Sequence, residues 1–511
     1  YDLCRAVAAA ALGPAYHMEA VPVTHATRFL ALANGEVDLL CATTTHTFER
    51  DAHQRDAKVG LSFSAPYLYD GLQFGGLPEY VPCAENLDTS GDCKGLRVCA
   101  FDRTTWVDTL RSVLPKKNVV ELAILGREFE AYAAGLRDGT CNVVAGERLD
   151  ITPALMRENG YEGPYTMGKT KLTKEPLAAS TLDGDPLWSD FVFWVVQGLF
   201  EAERRGVTSA SANSFGPATA FGDDLRDMFV NAIKAVGNYG EMYDRNLEPL
   251  VPRDDINRIN SGDTGLIYSL PFGPSENAGP GPTPGGTLEA VLARGTLRCG
   301  LIGRPTEEEE EESGETDVTF SQSGLNRDFC RALSAAVLAG KAAVSYTFEM
   351  FDSLEDGWAA LGNGDVDVLA GATLDLQSDV SEPTQGLGFS FSKPYYYQTN
   401  DEDGEREWSA IALATRQDDA QWSVFVDWIV ISSFFAEEEG ATRTNAIGMP
   451  LVNLFGPEFN GMLRASVGEV GGYGEIYERN FGSTHPRGGR NELNGNPFGP
   501  QHFPLTFADD V

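Results

Sequence analysis

Gly35-Glu-Val-Asp-Leu-Leu-Cys-Ala-Thr-Thr-Thr-His-Thr-Phe-Glu-Arg50 is the stretch whose pattern decides the fold class. Its apolar run to Ala42 follows a turn and predicts a buried strand of a parallel sheet. Hydroxyl side chains at Thr43 and Thr45 then lie at the strand's carboxyl end, where open α/β sheets bind ligands. Arg50 follows near the start of a helix, and its planar guanidinium matches a carboxylate. We expect these three residues to hold a small anionic group; a capped helix start with Arg50 in a surface ion pair is the alternative.

The composition narrows the possible functions. A chain of 511 residues is too long for one core and implies at least two domains. The formal net charge of −36 excludes general nucleic-acid affinity and argues against binding to anionic membranes. No apolar run is long enough for a transmembrane segment, and residues 190–200 predict a core helix instead. Scattered histidines and the lack of a C-x-x-C pair predict no metal site, and we expect no cofactor.

Several segments of the chain occur twice, which predicts two tandem copies of one architecture. Residues 2–10 return as 328–336, 34–40 as 363–369, 64–67 as 392–395 and 236–246 as 470–480. Between the copies, residues 271–286 are rich in Pro and Gly and predict a linker.

The motifs at 2–10, 27–38, 60–70 and 236–246 resemble, in order, those of the extracellular solute-binding proteins of polar amino-acid ABC transporters (family 3 type), especially the general L-amino-acid type. The resemblance covers nearly all of residues 1–272 and continues more weakly to the end. It implies an α/β, type II periplasmic-binding-protein-like fold of two lobes that clamp a ligand. Residues 1–74 and 178–272 would form lobe one, 75–177 lobe two, 273–286 the linker and 287–511 a second, truncated copy.

Each copy lacks something that the other has. Between Tyr397 and Trp422 the second copy has only a short acidic loop where the first has more than a hundred residues, so it would consist of about one lobe. The first copy begins after the point where its first strand should be. Because a missing central strand would leave backbone groups unpaired, we expect upstream residues or a strand of another chain to fill that place.

Two further segments supply candidate ligand-binding residues. Thr104 and Thr105 follow a predicted strand at a helix start, where hydroxyl and N–H groups suit a carboxylate. The resemblance implies that Glu147 pairs with a ligand's α-ammonium group, that His46 shapes the pocket, and that Arg103 replaces a glycine. An ordinary N-cap at Thr104 and a surface loop at Glu147 are the alternatives.

The second copy does not repeat the candidate ligand-binding residues of the first copy. Aligned without gaps, its residues 372–379 place Asp379 where the first copy has Arg50, and an aspartate would repel a carboxylate. The acidic run from Glu307 to Glu312 predicts a solvated loop, with weak Ca²⁺ binding as the remote alternative. We therefore expect the second copy not to bind amino acids.

Eight cysteines favour an oxidising compartment over a metal site. Cys83 and Cys93 bracket a short loop, Cys299 and Cys330 would tie a strand to a helix, and relatives often carry cysteines at the positions of Cys99 and Cys141. Cys4 has two possible partners, a residue on the absent strand or Cys41, and spacing does not decide between them.

These observations lead to a secreted protein, extracellular or periplasmic, that captures a zwitterionic or acidic amino acid in its first copy and could deliver it to a membrane transporter. The alternative is a structural or interaction protein that keeps the fold with vestigial ligand sites and assembles by strand exchange with further copies of itself. No nucleophile–base pair is recognisable, so we expect no enzyme.

Overall fold

The computed structural model describes residues 1–123, 128–173, 175–251, 253, 266–267, 281–303, 318–339, 345–380, 388–402, 405–482, 487 and 492–493. Up to residue 251 the helices are α1 (Asp2–Leu12), α2 (Arg28–Ala33), α3 (Phe48–His53), α4 (Val81–Glu85), α5 (Thr105–Val113), α6 (Glu128–Asp138), α7 (Pro153–Glu158), α8 (Pro186–Arg204), α9 (Met228–Val236) and α10 (Tyr239–Asn246). The strands in the same part are β1 (Leu61–Phe63), β2 (Leu68–Asp70), β3 (Gln73–Gly76), β4 (Val98–Phe101), β5 (Val119–Leu122), β6 (Val143–Gly146), β7 (Thr166–Met167), β8 (Glu175–Leu177) and β9 (Ser180–Leu182).

The remaining elements belong to the second half of the chain. Its strands are β10 (Leu266–Ile267), β11 (Leu297–Ile302), β12 (Tyr346–Phe351), β13 (Val368–Thr373), β14 (Phe389–Phe391), β15 (Tyr396–Glu402), β16 (Glu405–Arg416) and β17 (Glu492–Leu493). Its helices are α11 (Thr287–Arg294), α12 (Val318–Val337), α13 (Leu354–Asn363), α14 (Leu376–Val380), α15 (Ala420–Glu438), α16 (Met462–Val470) and α17 (Tyr473–Asn480). The mixed α/β fold class predicted from the sequence is confirmed.

A five-stranded sheet with the order β5-β4-β6-β3-β7 forms the middle of the first half. Strands β4, β5 and β6 run parallel, as the alternation of apolar runs and helices predicts. Strand β3 pairs antiparallel with β6, and β7 pairs antiparallel with β3. The sheet and helices α4–α7 enclose a hydrophobic core of their own. We call this body the upper lobe. The antiparallel pair β2–β8, with Leu68 opposite Leu177, connects it to the rest of the first half, which we call the lower lobe.

The second half is built around the sheet β12-β11-β13-β16-β14, with β15 paired to β16. Strands β15 and β16 form a long antiparallel hairpin from Tyr396 opposite Ile411 to Glu402 opposite Glu405. They occupy the positions of the hinge strands β2 and β8. The prediction of a short acidic loop is therefore wrong, because the acidic residues Asp401, Glu402 and Glu405 belong to two paired strands.

The stretch 35–42 does not form the strand that its apolar pattern predicts. It makes isolated antiparallel bridges at Leu40 and, just beyond, at Thr45. In the second half the corresponding segment is β13, which hydrogen-bonds on one side to β11. The described part of the first half contains no counterpart of β11, so this segment has β-type partners on one side only. That another strand fills the position remains a prediction.

Four disulfides tie the chain: Cys4–Cys41, Cys83–Cys93, Cys99–Cys141 and Cys299–Cys330. Of the two possibilities left open for Cys4, the structure has the pairing with Cys41. This bond joins α1 directly to the segment that corresponds to β13. In the second half the equivalent helix is instead bonded to β11 through Cys299.

Repeated contacts show that the lower lobe and the second half have the same architecture. Asp2 accepts from Arg245 and Asn246 in one, and Asp328 accepts from Arg479 and Asn480 in the other. The helices α8 and α15 are both capped by an aspartate that accepts from the backbone N–H of a tryptophan three residues later.

The lower lobe and the second half pack against each other and share one continuous cluster of buried apolar residues. Trp194 Nε1 on α8 donates to Asp379 Oδ2 at 2.7 Å. In the reciprocal contact, Trp428 Nε1 on α15 donates to Asp51 Oδ2 at 2.5 Å, and its ring stacks on Phe48 at 4.3 Å. Because each half supplies the same kind of donor and acceptor to the other, the junction has approximate two-fold symmetry.

A β-bulge changes the match between the two halves. The register of β13 against β16 shifts between Ala370 and Ala372, and from Leu369 to Thr373 the second half has one residue fewer than the first half has from Leu40 to Thr45. Beyond it, the pair Thr373 and Ile411 corresponds to the bridge between Thr45 and Leu177.

The helix caps give the same match. Thr47 Oγ1 accepts from the backbone N–H of Arg50 at 3.3 Å, and Asp375 Oδ1 accepts from that of Ser378 at 2.9 Å. Arg50 therefore corresponds to Ser378, and the expectation that Asp379 replaces it is wrong. Asp379 corresponds to the next residue along, the aspartate that binds Trp428.

Two predictions concern residues that the structure does not describe. The acidic run from Glu307 to Glu312 and most of the expected linker at 273–286 lie outside the described residues. Among the described helices, none is both long enough and apolar enough to cross a membrane.

Candidate functional site

Arg50 lies on the first turn of α3 and is buried where the lower lobe faces the upper lobe. Its Nη1 donates to the carbonyl oxygen of Thr45 at 2.7 Å, and its guanidinium lies 5.3 Å from the centre of the Phe29 ring. Burial lowers the pKa of Arg50, and the nearby carboxylates of Glu49, Glu175 and Glu147 oppose that change. The alternative of an exposed surface ion pair is wrong.

Arg28 places a second buried guanidinium beside the first. Its Nη1 donates to the Thr43 carbonyl at 2.7 Å, and it lies 4.8 Å from the centre of the Phe29 ring. Burial, with repulsion from Arg50, lowers the pKa of Arg28 to about 9. Two buried cations that repel each other favour an anion between them.

Glu147 follows β6 directly and lies on the upper lobe, fully buried. Its Oε2 has no hydrogen-bond partner among the described residues. Burial, together with Asp150, Asp70 and Glu175, raises the pKa of Glu147 well above its usual range, and Arg28 opposes the rise. A carboxylate in this environment favours a cationic partner. The alternative of a surface loop is wrong, and the charge of Glu147 acts on both buried arginines.

The predicted threonines have different roles. The Thr105 hydroxyl donates to Glu175 Oε2 at 3.1 Å, and Thr45 also hydrogen-bonds that carboxylate, so threonines of both lobes meet on a hinge strand. Thr104 caps α5 and donates its hydroxyl to the Phe101 carbonyl at 2.6 Å, which is the ordinary N-cap alternative. Thr43 contributes its carbonyl oxygen, which Arg28 uses.

His46 does not lie among these residues. Its ring stacks on Phe63 with centroids 4.2 Å apart and meets the edge of Trp428. It therefore belongs to the junction with the second half, and the expectation that it shapes the ligand pocket is wrong.

Sequence reasoning missed Arg28, Glu175, His25 and Glu128. Arg28 precedes an apolar helical run, as countless surface arginines do, and Glu175 lies in a strand far along the chain. The sequence offered one signal for Glu175, namely an acidic residue that directly precedes a proline in a hinge strand. Only the packing of the lobes shows that these side chains meet.

His25 and Glu128 fasten the two lobes at the mouth of the cleft. Glu128 accepts from the backbone N–H of His25 at 2.7 Å and lies 2.9 Å from its Nδ1. The His25 ring packs between Phe101 and Trp106 of the upper lobe. Burial lowers the pKa of His25, only partly offset by Glu128. Burial would raise the pKa of Glu128, but the hydrogen bonds from His25 outweigh it and the pKa is lowered.

We expect acid to separate the lobes. A His25 pKa lowered from 6.5 means that the closed state favours neutral histidine, so its contribution is complete above pH 6.5 and is lost as the pH falls below it. The contribution of Glu128 is present above pH 4.5 and is lost as the pH falls through its lowered value. Small-angle scattering on the ligand-free protein should give a larger radius of gyration at pH 5.5 than at 7.5. Glu128→Gln should show the larger radius already at 7.5; equal radii throughout would contradict this role.

Arg103, where the resemblance implies glycine, has φ 59° in the left-handed region. Its guanidinium lies 3.7 Å from Asp56 of the lower lobe in a half-exposed ion pair. Arg103→Gly and Arg103→Ala both remove that pair, but only glycine relieves the backbone strain. We expect the glycine variant to be more stable than the alanine variant by about 1 kcal/mol. Urea denaturation measures the difference, and equal stabilities would show that the turn is not strained.

The amino-acid sequence is similar to those of several known binding proteins. No protein-family model matches the chain. It is 29% identical over 290 residues to the putative amino-acid ABC transporter-binding protein YhdW of Escherichia coli, covering 53% of this chain and 81% of that protein. It is 28% identical over 291 residues to the general L-amino acid-binding periplasmic protein AapJ of Rhizobium johnstonii, covering 53% and 82%. The glutamate/glutamine/aspartate/asparagine-binding protein BztA of Rhodobacter capsulatus is 29% identical over 295 residues, with 53% and 82% covered.

Two solved structures are also similar to the chain. A periplasmic binding protein from Brucella ovis with glutathione bound is 27% identical, with 49% of this chain and 81% of that chain covered and a TM-score of 0.40. An ancestral arginine-binding protein bound to arginine is 20% identical, with 40% and 82% covered and a TM-score of 0.31. The chain is homologous to binding proteins of amino-acid ABC transporters, and the resemblance stated from its motifs is confirmed.

Proposed function

We propose that the first copy, residues 1–74 and 178–272 with 75–177, captures a zwitterionic or acidic α-amino acid between its lobes. The observation that carries this proposal is the opposition of two buried guanidiniums on the lower lobe to a buried carboxylate on the upper lobe. Arg28 and Arg50 would receive the α-carboxylate, and Glu147 the α-ammonium group. Each side of this arrangement favours the charge that the ligand brings.

The two lobes contribute opposite halves of the proposed site. An amino acid that bridges Arg50 and Glu147 would offset the cost of burying both and would hold the lobes together, so binding and closure would be coupled. Glu175, between Thr45 and Thr105 on the hinge strand β8, would fix the threonines that line the cleft. A second carboxylate, on the side chain of the ligand, would also be favoured by the positive charge of Arg28 and Arg50.

The names of the relatives support a cellular location for this activity. They are named as ABC transporter-binding or periplasmic proteins, and this chain has four disulfides, which persist in oxidising compartments. A secreted protein that delivers its amino acid to a membrane transporter fits both facts. In the described part of residues 287–511 a hairpin takes the place of an upper lobe, so this half would serve the first copy as a structural support.

A second function is favoured by the junction. The second half covers α8 and Phe48 of the lower lobe, so the chain has kept a large packed interface while losing one of two ligand clamps. Such an interface is also what a structural or interaction protein would need. A protein of that kind would have vestigial ligand sites and could assemble with further copies of itself. Size-exclusion chromatography with light scattering separates the two: concentration-dependent growth beyond one chain favours assembly.

Isothermal titration calorimetry with the twenty L-amino acids tests the capture function. We expect micromolar binding of at least one, with one site per chain, because among the described residues only the first copy has two lobes. Glu147→Gln, which keeps the shape of the side chain but removes its charge, should weaken that binding. No heat with any of the twenty, from a protein that melts cooperatively, would contradict the proposal.

A further inference from the structure

A cavity of about 150 Å³ lies at the junction between the lower lobe and the second half, away from Arg50 and Glu147. One water needs only about a tenth of that volume, so the space admits a small organic molecule. Both halves contribute to its wall, which consists of His46, Asp51, Ser62, Phe63, Asp183, Pro186, Ser189, Asp190, Ser390, Phe391, Lys393, Gln417, Ala420, Ser423, Val424 and Asp427.

The cavity lies on the approximate two-fold axis of the junction. Phe63 on β1 and Phe391 on β14 are equivalent residues of the two halves, and both line it. The same holds for the serine pairs 62 and 390, and 189 and 423. This shared wall is neutral, so packing of the two halves does not itself require charge here.

Two acidic residues of the wall, Asp190 and Asp427, have no acidic counterpart in the other half. Asp190 on α8 corresponds to Val424 on α15, and Asp427 on α15 corresponds to Phe193 on α8. An apolar side chain therefore serves at each of these positions in the other half. Each acid has a polar partner in the wall: Gln417 Nε2 donates to Asp190, and Lys393 Nζ lies 3.5 Å from Asp427. One lysine does not balance both carboxylates, so the two acids leave negative charge in the wall.

Negative charge exceeds positive charge around the cavity. The facing groups are Asp51, Asp183, Asp190 and Asp427, with Lys393 and His46; Asp379 lies just behind them. Burial raises the pKa of Asp183 to about 7 and the pKa of Asp190 well above its usual range. Burial also raises the pKa of Asp427, although the backbone N–H of Lys393 donates to it at 2.6 Å.

His46 supplies a second, independent observation. It is only 3% exposed, it lines the cavity, and neither ring nitrogen has a hydrogen-bond partner among the described residues. Its Nε2 lies 3.4 Å from Asp51 Oδ2, which already accepts from Trp428. A buried imidazole without a hydrogen bond is unusual, and a ligand or water in the cavity would satisfy it.

We propose that this cavity binds a small organic cation carrying a primary ammonium or guanidinium group. Asp190 and Asp427 would accept its N–H groups, and the rings of Phe63 and Phe391 would contact its carbon chain. A metal ion is disfavoured, because within the described residues no group of three or more His, Cys, Asp or Glu side chains is arranged to hold one. The site lies outside the amino-acid cleft and does not depend on the function proposed for it.

Calorimetry with agmatine, which has a guanidinium at one end and an ammonium at the other, tests the proposal on the whole chain. We expect one site per chain at pH 7.5, with at least tenfold weaker binding in Asp190→Asn and in Asp427→Asn. Both variants keep the size of the side chain and an oxygen that can accept a hydrogen bond, so we expect both to fold. Asp418→Asn is the matched control: its side chain is 63% exposed, it precedes the same helix α15, and agmatine binding should not change.

A further readout distinguishes this site from the cleft. Binding of a cation should displace protons from the acids whose pKa values are raised, so agmatine affinity should rise between pH 6 and 8. Arg50→Gln, which alters only the cleft, should leave agmatine binding within a factor of two. Absence of heat would overturn the proposal. So would binding that survives both cavity variants or that is lost in Arg50→Gln.

Discussion

Arg50→Gln is expected to weaken binding of the cognate amino acid by at least about thirtyfold. Truncating one partner of a buried, hydrogen-bonded charge pair costs roughly 2–5 kcal/mol, and each 1.4 kcal/mol is tenfold in affinity. Glutamine keeps a polar N–H donor in place of the guanidinium that now bonds the Thr45 carbonyl, while the charge is lost. Calorimetry with the amino acid identified for the wild type measures the change.

The fold should survive this substitution. Arg50 and Arg28 repel each other, so losing one guanidinium relieves part of the cost of burying them. Arg97→Gln is the matched control: its guanidinium also bonds backbone carbonyls, at Gly139 and Thr140, but at the exposed end of the upper lobe. Unchanged affinity in Arg50→Gln, or an equal loss in Arg97→Gln, would show that the carboxylate is held elsewhere.

Trp428→Ala is expected to reduce the free energy of unfolding by about 3–5 kcal/mol, the usual range for removing a large buried aromatic side chain. Trp428 is fully buried, stacks on Phe48 and donates to Asp51, so all of this loss falls on the junction. Trp428→Phe keeps most of the packing but leaves the carboxylate without its donor, which costs roughly 1–3 kcal/mol. Guanidinium denaturation measures both.

Trp422→Phe provides the comparison within the same helix. Trp422 is equally buried, and its Nε1 donates to the Asp367 carbonyl at 2.8 Å, inside the second half. The substitution Trp422→Phe should destabilise the protein less than Trp428→Phe, because leaving a neutral carbonyl unpaired costs less free energy than leaving a carboxylate unpaired. If the two phenylalanine variants were equally stable, the cross-junction bond would contribute nothing beyond an ordinary hydrogen bond.

The duplication also explains one error of the sequence comparison. Matching the halves without gaps set Arg50 against Asp379, because the residues on either side of the bulge look alike in one dimension. A single extra residue in the first half, between Leu40 and Thr45, changes that match, and only the strand register and the helix caps reveal it. The inserted residue leaves both helix starts and both tryptophan–aspartate bonds in place, so the tertiary contacts, not the spacing, preserve the equivalence.

The sequence by itself determined the α/β class, the relationship to amino-acid-binding proteins and the repetition of motifs, because these are carried by local patterns of apolar, turn and capping residues. It also singled out Arg50 and Glu147. The tertiary structure alone decided that Arg28 joins Arg50, that His46 faces the second half, and that Trp428 and Asp51 meet across 377 positions of sequence. Such contacts depend on how whole layers pack, and no periodicity along the chain records which distant side chains a shared core brings together.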